Sequence, residues 1–318
     1  MDNTVKNNIE AHGFSFKEAI KGNVFIITKG NQKYIYKTSE KQWEIFSERF
    51  ISILNKIGVN QLNFRNEISI HKHLSGKSFK YLKLPHIHHT DGRTFMIMDY
   101  IEGTMGRWYA PDMDAILVKA LADLQLSIQN KKVSLIKKII TMQRRPFWNV
   151  LRTIFTIGLP KGGLKLAADC LILCLKLDFK VPSNKNYFLL HKDINNKGNV
   201  ITDENRTLYF IDFESCVEES KWIFSDIIEV IYSSKDLYMD VELFNIYLNE
   251  LKKREFITDN FDVKSQVRFA MLRNGIKYLG FKNKAKEHRD QLANIILSDS
   301  NFDQWYNQTF LQSNVPTI

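Results

Sequence analysis

Residues 186–214 read NYFLLHKDINNKGNVITDENRTLYFIDFE, and the rest of the chain is organised around this stretch. Phe188-Leu189-Leu190 is a short apolar run that ends in His191-Lys192-Asp193. After a polar loop comes Asn199-Val200-Ile201, then a turn at Thr202-Asp203-Glu204-Asn205. Leu208-Tyr209-Phe210-Ile211 then runs into Asp212-Phe213-Glu214. Short apolar runs bounded by turn residues are how buried strands read. Paired as hairpins, these strands would bring Asp193, Asn199 and Asp212 together. Two oxygen ligands and a third carboxylate suit a magnesium–nucleotide site with a base beside it.

His191-x-Asp193, Asn199 and Asp212-Phe213, in this order, resemble the catalytic loop and metal-binding Asp of the protein-kinase-like phosphotransferases. The form Ile211-Asp212-Phe213-Glu214 resembles the small-molecule branch: aminoglycoside phosphotransferases, choline-kinase-type enzymes and lipopolysaccharide core kinases. Asn199 and Asp212 are 13 residues apart, close to the family spacing. Asp193 and Asn199 are six apart where the kinase pattern has five, so the loop needs a bulge or Asn196 takes the amide's role. Glu214 stands where protein kinases carry Gly, which argues against their mobile activation segment.

The resemblance implies a bilobal α+β protein-kinase-like fold. A small β-rich nucleotide-binding lobe would occupy residues 1–100, and a larger helical catalytic and substrate lobe residues 101–318. It implies ATP and Mg²⁺ as cofactors. Asp193 would orient an acceptor hydroxyl and accept its proton, Asn199 and Asp212 would hold Mg²⁺, and His191 would support the loop. Ser225-Asp226 looks like the helix start from which an Asp pins that loop; alone, Asp226 is also a favourable acid at a helix N-terminus.

Upstream, Val24–Thr28, the turn Lys29-Gly30-Asn31 and Lys33–Lys37 read as a hairpin. Lys37 ends a strand of β-formers, as the phosphate-binding Lys of the family does. Gly22 and Asn23 occupy the place of the phosphate-covering loop. The 64–74 segment reads as a helix with apolar Phe64, Ile68, Ile70 and Leu74, and its Glu67 looks like the acid that holds the strand Lys; Glu44 and Glu48 on a preceding helix are rivals. Residues 84–87 and 94–98 read as two strands around a turn at Asp91-Gly92. Asp99–Gly103 resembles the hinge whose backbone holds adenine, here through the Asp99 carbonyl and the Ile101 amide, with Met98 limiting the pocket's depth. The histidines at 71, 73, 86, 88 and 89 lack a Cys or acid at ligand spacing, and are not read as a metal site.

The chain has 318 residues, enough for two cores, and a net charge of +10. No apolar run reaches ~18 residues, and the polar N-terminus has no signal-peptide core, so a cytoplasmic location is expected. Cys170 and Cys174, four apart on an expected helix, read as small core residues rather than a metal pair. The charge is concentrated. Residues 131–165 hold nine Lys or Arg and no Asp or Glu. There Phe147, Val150, Leu151, Ile154 and Phe155 form an apolar helical face, within the segment near 131–180 where the resemblance implies a substrate-shaping insertion. Three readings of 131–165 stay open: a solvated basic face, peripheral contact with the anionic inner face of a membrane, and binding of an anionic soluble substrate. No nucleic-acid motif is present. Arg268, Arg273, Lys277 and Lys282 read as a charged helix surface, or as a face toward a phosphate-bearing substrate.

The charge favours a saccharide or envelope glycolipid as phosphate acceptor over a polycationic aminoglycoside or a choline-like metabolite. The irregular loop after Asp193 motivates a further alternative, a catalytically inactive binding module that kept the fold.

Overall fold

The computed structural model describes residues 3–39, 59–105, 113–128, 145–194, 199–233, 237–258, 261–279 and 286–311. They fall into two compact units. One comprises the described residues up to 105 together with 199–216; the other holds 113–128, 145–194 and the described residues from 217 onward.

The first unit is built on an antiparallel five-stranded sheet in the order β1-β2-β3-β6-β5: β1 (Ser15–Lys21), β2 (Val24–Lys29), β3 (Gln32–Thr38), β5 (Ile87–Thr90) and β6 (Phe95–Asp99). Strand parity sorts its side chains. Phe25, Ile27, Tyr34, Tyr36, Phe95 and Ile97 share one face and are covered by Val5 and Ile9 of α1 (Asn3–Ala11) and by Phe14. Ile26, Ile35, Met96 and Met98 share the other and meet Phe64 and Ile68 of α2 (Val59–Leu74). Alternate residues of a strand point to opposite faces, so both sides are buried by one run of apolar residues. The turn between β5 and β6 is held by Asp91, whose carboxylate accepts the N–H groups of Arg93, Thr94 and Phe95. Gly92 takes φ 75° there. A second sheet orders β4 (Leu82–Lys83), β10 (Leu208–Phe210), β9 (Val200–Thr202) and β7 (Thr104–Met105).

The second unit is mainly helical: α3 (Met113–Gln125), α4 (Pro146–Thr153), α5 (Leu159–Lys180), α6 (Ser225–Ile231), α7 (Val241–Lys253), α8 (Val263–Leu279), α9 (Lys286–Leu297) and α10 (Asp299–Leu311). It also contains the antiparallel pair β8 (Phe188–Leu190) and β11 (Val217–Glu219). Trp222 stacks on Phe269 of α8 at 3.7 Å between ring centroids, fixing the approach to α6.

Several sequence expectations change. The strands of the 186–214 stretch pair differently: β9 pairs with β10, whereas β8 pairs with β11. β1 is an additional strand, bulged and at the sheet edge with Phe16 and Ile20 exposed, so it lacks a clean alternation. Residues 84–86 are not a strand; β5 begins after them, since Pro85 has no N–H for a ladder. The face at 147–155 is split, because a π-turn at Ile154–Gly158 rotates the register and turns Phe155 outward while Val150 and Ile154 stay buried. Arg268 and Arg273 are buried rather than a charged surface: Arg268 is held by the Ile296 carbonyl and Asp299, Arg273 by the Ser225 carbonyl and Glu229. The side chains of Lys277 and Lys282 lie outside the described residues, as does all of the basic run before Arg145. Cys170 and Cys174 are free thiols in the core, where burial pushes both up to about 12.

Candidate functional site

Lys37 follows Ile35 by two residues, so β3 turns it toward α2. Its Nζ donates to both Glu67 carboxylate oxygens, at 2.7 and 2.9 Å, and to Asp212 Oδ1 at 2.9 Å. Glu214 Oε1 lies 3.4 Å away. Lys37 and Glu67 are buried, while the Asp212 side chain is 40% exposed. Glu44 and Glu48, the rivals of Glu67, lie outside the described residues.

Three elements hold this cluster in register. Asp212 sits at φ 62°, a left-handed conformation that a non-glycine residue adopts at a cost, between β10 and a 3₁₀ turn at Phe213–Ser215. The turn is fastened to α2: Asn66 Nδ2 donates to the Cys216 carbonyl at 3.2 Å, and His71 meets Phe213 edge-on at 4.8 Å. Asn199 is buried, and its carbonyl accepts the Ile211 N–H at 3.2 Å, which places it across the ladder from the residue before Asp212. Gly22 and Asn23 form the two-residue turn between β1 and β2. Asn23 exchanges two hydrogen bonds with Thr38, one from its side chain and one through its carbonyl, both at 3.0 Å. The turn is therefore tied to the residue after Lys37.

The electrostatics are unbalanced: among the described residues one ammonium faces three carboxylates. Burial pushes the Glu67 carboxyl up to about 8; Lys37 pulls it down, and Asp212 and Glu214 push it further up. Burial works against the charge on Lys37, but the three acids override it and hold the amine well above its ordinary range. Oxygens of Glu67, Asp212 and Glu214 lie within 4.8 Å of one another. All are hard donors, so the set fits a magnesium-type cation, which would also relieve the excess negative charge. The sequence had pointed to Asp212 and Asn199 for this role. Glu214 joins Asp212 in the cluster, and the only sequence signal for it is an acid two positions on.

Asp99 and Ile101 lie at the end of β6. The Asp99 carboxylate accepts the His86 N–H at 2.9 Å and sits 2.7 Å from His88 Nε2, so its side chain braces the strand end rather than joining the Lys37 cluster. Met98 is buried in the core under α2.

In the second unit, β8 delivers His191, Lys192 and Asp193. Asp226, fully buried in the first turn of α6, accepts the N–H of His191 at 2.6 Å and of Lys192 at 3.1 Å. Burial raises the Asp226 carboxyl, while Lys192, Arg273 and His191 pull it down. Lys192 has φ 70°, and its Nζ is buried with no hydrogen-bond partner among the described residues. Burial, aided by Arg273 and opposed by Asp226, Glu229 and Glu219, lowers this amine to about 7. Asp193 is half-buried at the end of the turn. Asn196 lies outside the described residues. Sequence reasoning missed Arg273 and Lys192 as members of this charged interior, because burial of a cation leaves no mark on periodicity.

No family model matches the chain, and no curated protein matches it in sequence. Solved structures do. The microcompartment-associated aminopropanol kinase aligns with a TM-score of 0.57 and 14% identity over 98% of each chain. Choline kinase LicA from Streptococcus pneumoniae aligns at 0.55 and 12% identity, over 93% of this chain and 96% of that one. A thermostable mutant of aminoglycoside phosphotransferase APH(4)-Ia, in ternary complex with AMP-PNP and hygromycin B, aligns at 0.54 and 13% identity over the whole of both chains. At these identities the likeness is one of fold: the chain has the α+β protein-kinase-like fold expected from its sequence.

Proposed function

We propose that this chain transfers the γ-phosphoryl group of ATP to a hydroxyl of a non-protein acceptor. The observation that carries the reading is the buried Lys37–Glu67 pair in contact with Asp212. Phosphoryl transfer is mostly positioning and charge neutralisation, and a fixed cation beside clustered acids is suited to both. Lys37, held by Glu67, binds the α- and β-phosphates. Gly22 and Asn23 cover the phosphates, and the backbone of Asp99 and Ile101 holds the adenine. Asp212 and Asn199, with Glu214, are the residues that would hold Mg²⁺, whose chemistry when bound is to neutralise phosphate charge. Asp193 orients the acceptor hydroxyl and takes its proton. His191 and Asp226 keep that loop in shape, since the two N–H bonds to Asp226 fix the backbone just before Asp193.

Proteins of this fold include those named as aminopropanol, choline and aminoglycoside kinases, all with hydroxyl-bearing small molecules as namesakes. For this chain the acid-free basic run 131–165 favours an anionic acceptor, a saccharide or an envelope glycolipid, met at a membrane face. The test is γ-labelled ATP with purified protein and a host extract, split by organic extraction, with Asp193→Asn beside the wild type. Asp193-dependent label in the lipid fraction supports the glycolipid, and label in the aqueous fraction points to a soluble metabolite. Nucleotide binding without any Asp193-dependent label would overturn the enzymatic reading.

A further inference from the structure

Helix α5 carries a feature that phosphoryl transfer does not use. Gly163, at φ 83°, kinks it, and the part beyond the kink has three distinct faces. Cys170, Leu173, Cys174 and Leu177 are buried in the second unit. Leu164, Ala168, Ile172, Leu175 and Phe179, spaced by three and four residues, share a second face that is exposed. Phe179 is 88% exposed, Leu164 76% and Ile172 64%. At about 1.5 Å per residue this apolar stripe is about 22 Å long. Lys165, Lys176 and Lys180 lie along one edge at about 100° per residue, with Asp169 among them, and Asp178, which pairs with Lys221, lies on the other edge. In the preceding turn and helix Trp148, Phe155 and Leu159 are also exposed, as is Arg152.

We infer that this face of α5, with the outward side of α4, is a docking surface for an anionic lipid bilayer. The inference deepens the membrane-proximal acceptor proposed above and names the surface. An exposed apolar stripe bordered by long cationic side chains is the arrangement of an interfacial helix: the apolar groups enter the headgroup boundary while the ammonium groups reach its phosphates. The charge decides the occupant. Arg145, Arg152 and Lys165 belong to the acid-free run 131–165, whereas Lys176 and Lys180 already pair with Asp299 and Asp262. A second copy on this face would add the same exposed Arg152 and Lys165 charges rather than offset them. A bilayer of anionic headgroups is complementary to them. Among the described residues no helix is long and apolar enough to cross a membrane, so the contact is peripheral.

The test is flotation of the full chain, without ATP or acceptor, on vesicles of phosphatidylcholine alone or with about 30% phosphatidylglycerol. It is therefore independent of turnover, and failure here is separable from failure of the kinase reading. Wild type should float with the anionic vesicles, and salt of about 0.5 M should weaken this. The variant Leu164→Ser/Ile172→Ser/Phe179→Ser should partition at least roughly tenfold less, with an unchanged circular dichroism spectrum and melting point. Arg152→Gln/Lys165→Gln should lose the preference for anionic lipid. No flotation, equal flotation of the serine variant, or a wild-type dimer in light scattering that this variant dissolves would each overturn the proposal, the last because a second copy would then own the face.

Discussion

Lys192 offers a sharp quantitative test of the interior around Asp226. Its amine is buried without a hydrogen-bond partner among the described residues and titrates near 7 in the folded chain, against an ordinary value of 10.5. Between those two values the unfolded chain binds more protons than the folded one, so stability attributable to this group rises with pH over that window and is flat below it. The whole difference converts to roughly 5 kcal/mol at ~1.4 kcal/mol per pH unit. Integrated only from pH about 7 to about 9 it is about 2 kcal/mol, and because the stem of Lys192 is only half-buried we expect ~1 kcal/mol or somewhat more. Glu67 and other groups titrate in the same range, so the informative quantity is a difference between two proteins. Lys192→Met keeps length and apolar bulk and removes the titrating nitrogen. Urea unfolding followed by tryptophan fluorescence should show wild type gaining this amount over Lys192→Met across the two pH values. Parallel curves, or a wild type that loses ground as pH rises, would refute the buried-amine argument.

Asp226→Ala strands the buried His191 N–H and the part-buried Lys192 N–H and removes the counter-charge to Lys192 and Arg273; urea unfolding should register a loss of about 3 kcal/mol. Gly103→Ala would drive a Cβ into the Thr202 carbonyl, so β7 has to move off β9; a drop of about 1–3 kcal/mol is expected in the same assay. Glu214→Gln removes one of three clustered carboxylates with little change in shape. Titration calorimetry of ADP with Mg²⁺ should show roughly tenfold weaker magnesium-dependent binding, with metal-free ADP affinity no lower than in wild type.

Much of the first unit was legible in the sequence because strand parity is a strict rule. Once 33–37 reads as a strand beside an apolar 64–74 helix, Lys37 falls on the face of Ile35, where α2 and Glu67 lie. The motif residues around Asp193 and Asp212 were legible through spacing. Strand pairing was not: β8 and β10 have the same apolar look, and only the completed fold assigns β11 to one and β9 to the other. β1 was hidden by its edge position, since a bulged strand with one wet face shows little alternation. The face at 147–155 was misread because a π-turn inserts a register shift that no 3.6-residue template anticipates. Arg268 and Arg273 show the remaining limit. Composition marks them as surface, and their burial rests on partners at 225–229 and 296–299 that are distant in sequence.

β3 is the middle strand of its five-stranded sheet, with a neighbour on each side and an apolar layer on each face. Its backbone amides open only when the sheet itself opens, so in native-state hydrogen exchange Tyr34–Thr38 should be the slowest stretch of the sheet, well behind the edges at β1 and β5. The amine of Lys37 therefore hangs from the strand of the sheet expected to open last, and Glu67 and Asp212 hold its far end.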